Sequence, residues 1–171
     1  AIDMALWDAL GDLNCVPVYK LLGGYRDTVP VIAIGGYYQA GKGRDALKEE
    51  IQFYQEAQMA GIKFKVGRAS LAEDVARVSR AREVAGDEFI IACDANQAWT
   101  PEQAIEFCRA VAPLNIRWIE EPVRWYDQLE GLRLVRENSP IPVTAGQGEI
   151  SRYGCRDLVT QGRVNILNVD A

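Results

Sequence analysis

The chain has 171 residues, 49% of them hydrophobic and 25% charged, which is the balance of an ordinary globular protein with one sizeable core. With 19 basic and 24 acidic residues the net charge is −5, which argues against nucleic acid or an anionic membrane surface as a partner. The sequence has no histidine, so it cannot itself supply Ser-His-Asp, Cys-His or histidine-ligated zinc chemistry.

The cysteines are scattered without a paired spacing, at positions Cys15, Cys93, Cys108 and Cys155. This pattern is typical of buried thiols in a reducing cytoplasm, rather than of a disulfide framework or a zinc site. No apolar run approaches the ~20 residues of a membrane span, and no signal-peptide pattern opens the chain. We therefore predict a cytoplasmic protein.

Short β-branched runs alternate with segments of helical period along the chain. The predicted strands are 29–37, 62–66, 89–93, 116–119, 141–144 and 164–169. The predicted helices are 45–59, 71–84, one opening at 101, 128–137 and 152–160. Two of these helices carry clear start signals: Ser70 with Glu73, and Thr100-Pro101 with Gln103. This alternation predicts a parallel sheet with right-handed crossovers.

Two architectures have such a sheet, the doubly wound open sheet and the (β/α) barrel. The first strand is followed by no Gly-x-Gly-x-x-Gly, which argues against a dinucleotide-binding domain. Six strands are predicted where a closed barrel has eight, so we predict an incomplete barrel over residues 25–171. Residues 1–24, which open in a helical pattern, are assigned to a preceding domain, and the chain is predicted to be part of a larger protein.

Ionisable residues stand at the carboxyl ends of successive predicted strands. They lie 21 to 29 residues apart, about one strand-helix unit: Lys63 and Lys65, Asp94 with Asn96, Glu120, Glu149, and Asp170. In a parallel barrel the carboxyl ends of all strands meet at one mouth, where active sites are built. We therefore expect these residues to lie together.

Three carboxylates around one point, Asp94, Glu120 and Glu149, repel each other unless a cation is present. Carboxylate oxygens with open positions for water suit Mg²⁺, or Mn²⁺, better than zinc. Lys63 and Lys65 are two residues apart on a strand and face the same side, where each disfavours the charge of the other. One of them is then available as a base that removes a proton α to a carboxylate.

Each of these motifs has a simpler interpretation when taken alone. Lys63-Phe64-Lys65 is a common strand edge, Asp94-Ala95-Asn96 a turn or cap, and Asp170 the start of a turn. Tyr37 and Tyr38, at the end of the first strand, are as readily packing residues as substrate contacts. The regular spacing favours the combined site, because every simple interpretation would otherwise have to coincide with it.

The motifs resemble those of the enolase superfamily, in the mandelate racemase/muconate lactonizing enzyme family. The resemblance covers nearly the whole chain and is carried by five segments: Ala1–Asp8, Leu21–Gly24, Gly61–Gly67, Asp94–Gln97 and Trp118–Pro122. It implies a TIM-type (β/α) barrel preceded, over residues 1–24, by the last helix of a capping domain. It also implies Mg²⁺-dependent abstraction of a proton α to a carboxylate, and a homo-oligomer.

The resemblance implies a role for each candidate residue. Lys65 corresponds to the catalytic base, and Lys63 to its electrostatic partner and substrate-carboxylate contact. The implied metal ligands are Asp94, Glu120 and Glu149, and Asn96 lies near substrate and metal. Glu149 and Asp170 favour the mandelate racemase group, in which the aspartate orients a catalytic histidine on the next strand, beyond Ala171.

Dehydration of a sugar acid is the leading predicted reaction. Racemisation or epimerisation of a 2-hydroxy acid is the second, and muconate cycloisomerase-like or dipeptide-epimerising chemistry is the third. The first two differ in whether the opposite face supplies an acid or a second base, which the sequence leaves open. A non-catalytic relative and an unrelated α/β domain are the alternatives of another class, and the intact Lys65 with three carboxylates argues against both.

Overall fold

The computed structural model describes residues 2–41 and 43–170. The chain divides into two compact units, Ala1–Pro30 and Val31–Ala171. The first unit contains helix α1 (Ile2–Asn14) and the short helix α2 (Val18–Leu21), and α1 exposes most of its large apolar side chains. The assignment of residues 1–24 to a capping domain stays a prediction.

The second unit alternates strands with helices throughout. Its strands are β1 (Ile32–Gly35), β2 (Gly61–Lys65), β3 (Ile90–Asp94), β4 (Ile116–Glu120), β5 (Val143–Ala145) and β6 (Ile166–Leu167). Its helices are α3 (Arg44–Glu56), α4 (Leu71–Ala85), α5 (Pro101–Val111), α6 (Gln128–Asn138) and α7 (Arg152–Thr160). Short 3-10 turns follow α5 at Ala112–Leu114 and precede α6 at Trp125–Asp127. No helix among the described residues is both long and apolar enough to cross a membrane.

The six strands of the described residues are all parallel and pair in chain order from β1 to β6, so neighbours in sequence are neighbours in the sheet. This order and the intervening helices confirm the predicted α/β architecture. Six strands in sequence form an incomplete (β/α) barrel wall, with β1 and β6 at its two edges.

Apolar and charged residues alternate along β2, which places the apolar side chains in the core and the charged ones at the candidate site. Ile62 and Phe64 are fully buried and belong to the core cluster that includes Ile51 of α3 and Val78 of α4. Lys63 and Lys65 alternate with them along the strand and therefore face the other side of the sheet. The apolar positions of β2 hold the strand against the helices, and the same pattern turns both lysines toward the barrel interior.

The helix starts follow the predicted signals. Thr100 Oγ1 accepts a hydrogen bond from Gln103 N at 3.4 Å, and Gln103 Oε1 accepts one from Thr100 N at 3.0 Å. Ser70 Oγ accepts a hydrogen bond from Glu73 N at 3.3 Å at the start of α4. These bonds satisfy amide groups that have no partner inside a helix, and so fix where α4 and α5 begin.

β5 is one residue shorter than predicted, and two strands, β1 and β6, are shorter by several residues. β1 ends at Gly35 because Gly36 has φ 64°, and a side chain there would strike the ring of Phe64. β6 is reduced to Ile166–Leu167, where it pairs with β5 alone.

The four cysteines are free thiols. Burial raises the pKa of Cys108 to about 11, and that of Cys93 still further.

Arg82 joins α4 to the segments around it through carbonyl oxygens rather than a carboxylate. Its guanidinium donates to Leu114 O at 2.9 Å, Gly86 O at 2.6 Å, Phe89 O at 2.8 Å and Asn115 O at 2.9 Å. The residue is only 9% exposed, and methionine in its place would remove the donor to the buried Phe89 carbonyl oxygen and to three partly buried ones.

We expect Arg82→Met to lower the free energy of unfolding by about 2–4 kcal/mol, because each buried polar group left unpaired costs about 1–3 kcal/mol. Urea unfolding of the full-length protein measures this change. Arg80→Met on the same helix is the control, since Arg80 pairs with Glu83 at the exposed surface. A loss at Arg82 no larger than the loss at Arg80 would contradict a structural role for the Arg82 guanidinium.

Candidate active site

The carboxyl ends of β2, β3 and β4 bring charged side chains into one row. Lys65 is the register partner of Asp94, and Asp94 is the register partner of Glu120. Residues in register on parallel strands point to the same face, so the three side chains share one side of the sheet with Lys63. The structure therefore brings together four of the residues predicted from the sequence.

Each of the two lysines is ion-paired with a carboxylate of the row. Lys65 Nζ lies 2.6 Å from Asp94 Oδ2, and Lys63 Nζ lies 2.7 Å from Glu120 Oε1 and 3.4 Å from Asp94 Oδ2. Both carboxylate side chains are 2% exposed. Because each ammonium group has a carboxylate partner, the mutual repulsion expected of the lysines is offset within the site.

The environment shifts the pKa values of two of these groups. Burial alone would lower the pKa of Lys63, but the hydrogen bond and charge of Glu120, together with Asp94, outweigh it and hold the pKa above its ordinary value. Burial raises the pKa of the Glu120 carboxyl, and the neighbouring Asp94 adds to the effect while Lys63 opposes it. Lys63 therefore stays charged, and negative charge on Glu120 is costly without a nearby cation.

Lys65 also lines a cavity of about 510 Å³. Asn96, Tyr37, Tyr38 and Arg68 are among its other lining residues. Asn96 stands in the left-handed region at φ 47°, and its backbone N–H donates to Asp94 Oδ1 at 2.9 Å. The proposed base and the predicted substrate contact thus face the same space, which is of a size that suits a small molecule.

The structure does not bring Glu149 to this row. Glu149 follows the end of β5 by four residues and a turn in which its amide donates to Gly146 O at 2.9 Å. Its carboxylate occupies the space beside the α-carbon of Gly154 in α7 and lines a separate cavity with Trp125 and Asp157. Across residues 2–41 and 43–170, no three His, Cys, Asp or Glu side chains are grouped to hold a metal ion. The role of Glu149 as a third ligand stays a prediction.

Asp170 lies exposed, three residues after the end of β6. Its predicted partner is a histidine on a following strand, which is not part of this sequence. The role of Asp170 in orienting that histidine therefore stays a prediction.

Glu121 has a position that the sequence did not single out. It is 4% exposed and has φ 41°, and its Oε1 accepts a hydrogen bond from Gly146 N at 2.9 Å. Its Oε2 is buried and has no hydrogen-bond partner among the described residues. Burial raises the pKa of this carboxyl, and the charges of Glu120 and Asp94 add to the shift. Glu121 thus ties the end of β4 to the segment after β5; the adjacent Glu120 offered no hint of this separate role.

The donor set of the row fits a hard divalent cation. The Lys63 ammonium already lies within 2.7 Å of Glu120 and 3.4 Å of Asp94, so the space between the two carboxylates accepts positive charge. Protein Mg²⁺ sites commonly use one or two carboxylates and complete the shell with water or substrate oxygens. Asp94 and Glu120 would hold the ion on these grounds.

A second polar cluster lies behind β2, between that strand and α4. Asp74 is fully buried, and its carboxylate accepts hydrogen bonds from Tyr38 Oη, from Gly67 N at 2.7 Å and from Arg77 Nη1 at 3.1 Å. No sequence pattern indicates this cluster, because an aspartate in the first turn of a helix is ordinary.

We expect Tyr38→Phe to weaken the dependence of stability on alkaline pH. Burial and the hydrogen bond to Asp74 raise the pKa of Tyr38 to about 12, whereas an unfolded tyrosine titrates near 10. Between these values the unfolded chain binds fewer protons than the folded protein, so the free energy of unfolding falls as the pH rises. From about pH 9 to pH 11 the wild type should lose roughly 1 kcal/mol more than Tyr38→Phe. Urea unfolding at each pH measures the free energy. An equal fall in the free energy of unfolding of the two proteins over this pH range would contradict the prediction.

Comparison with known proteins agrees with this arrangement. Residues 46–171 match the family model described as enolase C-terminal domain-like. The chain is 39% identical over 170 residues to the 3,6-anhydro-α-L-galactonate cycloisomerase of Streptomyces coelicolor, covering 99% of this chain and 46% of that protein. It is 34% identical over 169 residues to the arabinonate dehydratase of Saccharolobus solfataricus, covering 99% and 45%.

A solved structure is also similar over the same span. A mandelate racemase/muconate lactonizing enzyme from a marine actinobacterium, crystallised in complex with magnesium, superposes with a TM-score of 0.93 at 49% identity. The match covers 99% of this chain and 47% of that one, so the chain spans about half the length of these relatives. These matches show that the chain, with the strand order, lysine pair and two carboxylates described above, belongs to the mandelate racemase/muconate lactonizing enzyme family of the enolase superfamily.

Proposed function

We propose that this protein abstracts the proton α to the carboxylate of a small acid, with Mg²⁺ as cofactor, and that its reaction is the dehydration of a sugar acid. The observation that carries the proposal is the row of Lys63, Lys65, Asp94 and Glu120, with Lys65 at the wall of a cavity. A base and a cation site a few ångströms apart are what removal of a weakly acidic proton requires.

Each residue has a defined part in this chemistry. Lys65 Nζ takes the α-proton, and Lys63, which keeps its charge, binds the substrate carboxylate. Asp94 and Glu120 hold the cation, with Glu149 proposed as the third ligand. When bound there, Mg²⁺ would supply Lewis-acid stabilisation of the negative charge that develops as the proton leaves. Asn96 contributes polar contacts at the cavity wall.

The proposed dehydration requires a second proton transfer, to the hydroxyl that leaves. The electron pair left by the α-proton forms a carbon–carbon double bond as the hydroxyl on the neighbouring carbon departs. That hydroxyl takes a proton from an acid and leaves as water, and the resulting enol rearranges to a 2-keto acid. We propose that the acid is a histidine oriented by Asp170.

The relatives support this class of substrate. Two of them are named for sugar acids, arabinonate and 3,6-anhydro-α-L-galactonate, and a third is an L-talarate/galactarate dehydratase. Epimerases are also among the relatives, including a hydrophobic dipeptide epimerase. Racemisation or epimerisation is therefore the second candidate, in which a group opposite Lys65 returns a proton to the other face.

Proton NMR in D₂O distinguishes these reactions. The full-length protein with Mg²⁺ is incubated with a panel of sugar acids and 2-hydroxy acids, and the α-proton signal is followed. We expect the signal to disappear with the appearance of a 2-keto acid for a dehydratase, or with retention of the hydroxyl for a racemase. No change with any acid, in protein that is folded and binds Mg²⁺, would contradict the proposal and favour a non-catalytic relative.

We also propose that the protein acts in the cytoplasm. Its cysteines are free thiols, and two of them, Cys93 and Cys108, are buried in the core where no disulfide joins them. Free thiols persist most readily in a reducing compartment.

A further inference from the structure

The end of β2 that carries Lys65 is held from behind by the side chain of Arg77 in α4. Arg77 Nη1 donates to the carbonyl oxygen of Lys65 itself at 3.0 Å. Its Nη2 donates to the carbonyl oxygen of Gly36, just after β1, at 2.6 Å. One guanidinium therefore joins the ends of two neighbouring strands at the level of the candidate site.

Arg77 is itself fixed by the groups around it. Its Nη1 pairs with the fully buried Asp74 at 3.1 Å, and only 13% of the Arg77 side chain is exposed. The guanidinium carbon lies 4.0 Å from the centroid of the Tyr38 ring and 4.7 Å from that of Phe64. A planar cation stacked on two rings and paired with a carboxylate has little freedom to move.

Asp74 extends the same connection to both sides of Lys65. Its carboxylate accepts hydrogen bonds from Tyr38 Oη and, at 2.7 Å, from Gly67 N, two residues beyond Lys65. Tyr38 Oη in turn accepts a hydrogen bond from Arg68 N at 3.3 Å. Tyr38, Gly67 and Arg68 all line the cavity that Lys65 faces. The Asp74–Arg77 pair thus connects the proposed base with the wall of its cavity.

We infer that Arg77, held by Asp74, is a positioning residue: it fixes the backbone at Lys65 so that the amine is aimed into the cavity beside Asp94. Two donors at a fixed angle are needed to reach two carbonyl oxygens, so lysine cannot replace arginine here even though it keeps the charge. The role of Arg77 in turnover rests on the proposed function of Lys65, whereas its effect on the position of the Lys65 amine does not.

The test compares Arg77→Lys and Arg77→Met with the wild type in the full-length protein. The control is Arg80→Met on the same helix, whose side chain pairs with Glu83 at the exposed surface. One readout is the rate at which a trace of acetic anhydride acetylates Lys65, relative to the exposed Lys48, in protein without added metal. The other is the separate measurement of kcat and KM for the acid identified by NMR.

We expect both Arg77 variants to raise the acetylation of Lys65 about tenfold, while Lys63, whose backbone Arg77 does not touch, changes little. We expect kcat to fall about 100-fold with a much smaller change in KM, since displacement of a catalytic group by about 1 Å has an effect of that size. Should Arg77→Met fail to fold, Arg77→Lys carries the test because it keeps a charge beside Asp74.

Unchanged acetylation of Lys65 and unchanged kcat in a folded Arg77 variant would overturn the inference. So would full activity of Arg77→Lys, because charge alone would then be sufficient. If acetylation rises but the wild type turns over no acid, the positioning role stands and it is the proposed function that fails.

Discussion

Replacing Lys65 with alanine should lower the rate of α-proton exchange by about 10²–10⁴-fold, the contribution that a positioned general base makes to such a step. The amine lies at the cavity wall with its nitrogen 2.6 Å from Asp94. Among the described lysines, only Lys63 shares this position, and its nitrogen is already engaged by two carboxylates. No other described amine is placed to take over the proton transfer.

The measurement is the initial rate of deuterium incorporation at the α-carbon in D₂O, with saturating Mg²⁺. Lys48→Ala on helix α3 is the matched control and should exchange at the wild-type rate, because Lys48 is exposed and does not belong to the row. Circular dichroism checks that both variants are folded. Exchange by Lys65→Ala at a rate close to that of the control would remove Lys65 from its proposed role.

Asp94→Asn should weaken Mg²⁺ binding by at least about 100-fold, since even the outer partners of metal ligands typically contribute 10–100-fold to affinity. Asp94 is 1% exposed, and among the described carboxylates it is the one that contacts both lysines. Its neutralisation leaves two ammonium groups facing Glu120 alone, which makes the site less favourable for a further positive charge.

Isothermal titration calorimetry with MgCl₂ measures this change, with Glu83→Gln, an exposed carboxylate of α4, as the control. Glu149→Gln belongs in the same series. An equal loss of affinity would confirm Glu149 as a ligand, and no loss would show that Asp94 and Glu120 suffice. Wild-type affinity in Asp94→Asn would contradict the proposed cation site.

The sequence predicts the row of charges well because its residues stand at the last positions of strands. Because side chains alternate along a strand, Lys63 and Lys65 must share a face. Because the strand-helix unit repeats with a regular length, Asp94 and Glu120 are expected at the ends of the next two strands. These placements depend on local patterns that repeat along the chain. The parallel α/β class followed from the same repetition, and the charged residues at the strand ends favoured the barrel over the open sheet.

Residues outside the strands were less predictable. Glu149 lies four residues beyond β5, where the turn at Gly146 and the start of α7 decide the direction of the side chain. Asp74 and Arg77 were missed because a first-turn aspartate and an arginine three residues later form an ordinary helix pair. Their importance comes from Gly36, Tyr38 and Gly67, which belong to other segments and meet them only in the folded chain.

The most direct test of the cation-and-base centre is a crystal structure of the full-length protein soaked in Mn²⁺, with anomalous scattering used to locate the ion. We predict one strong peak bounded by the carboxylates of Asp94 and Glu120, on the side of the sheet that carries Lys63 and Lys65. A peak beside Glu149 and Asp157 instead, with Lys63 still bridging Asp94 and Glu120 at saturating Mn²⁺, would contradict it.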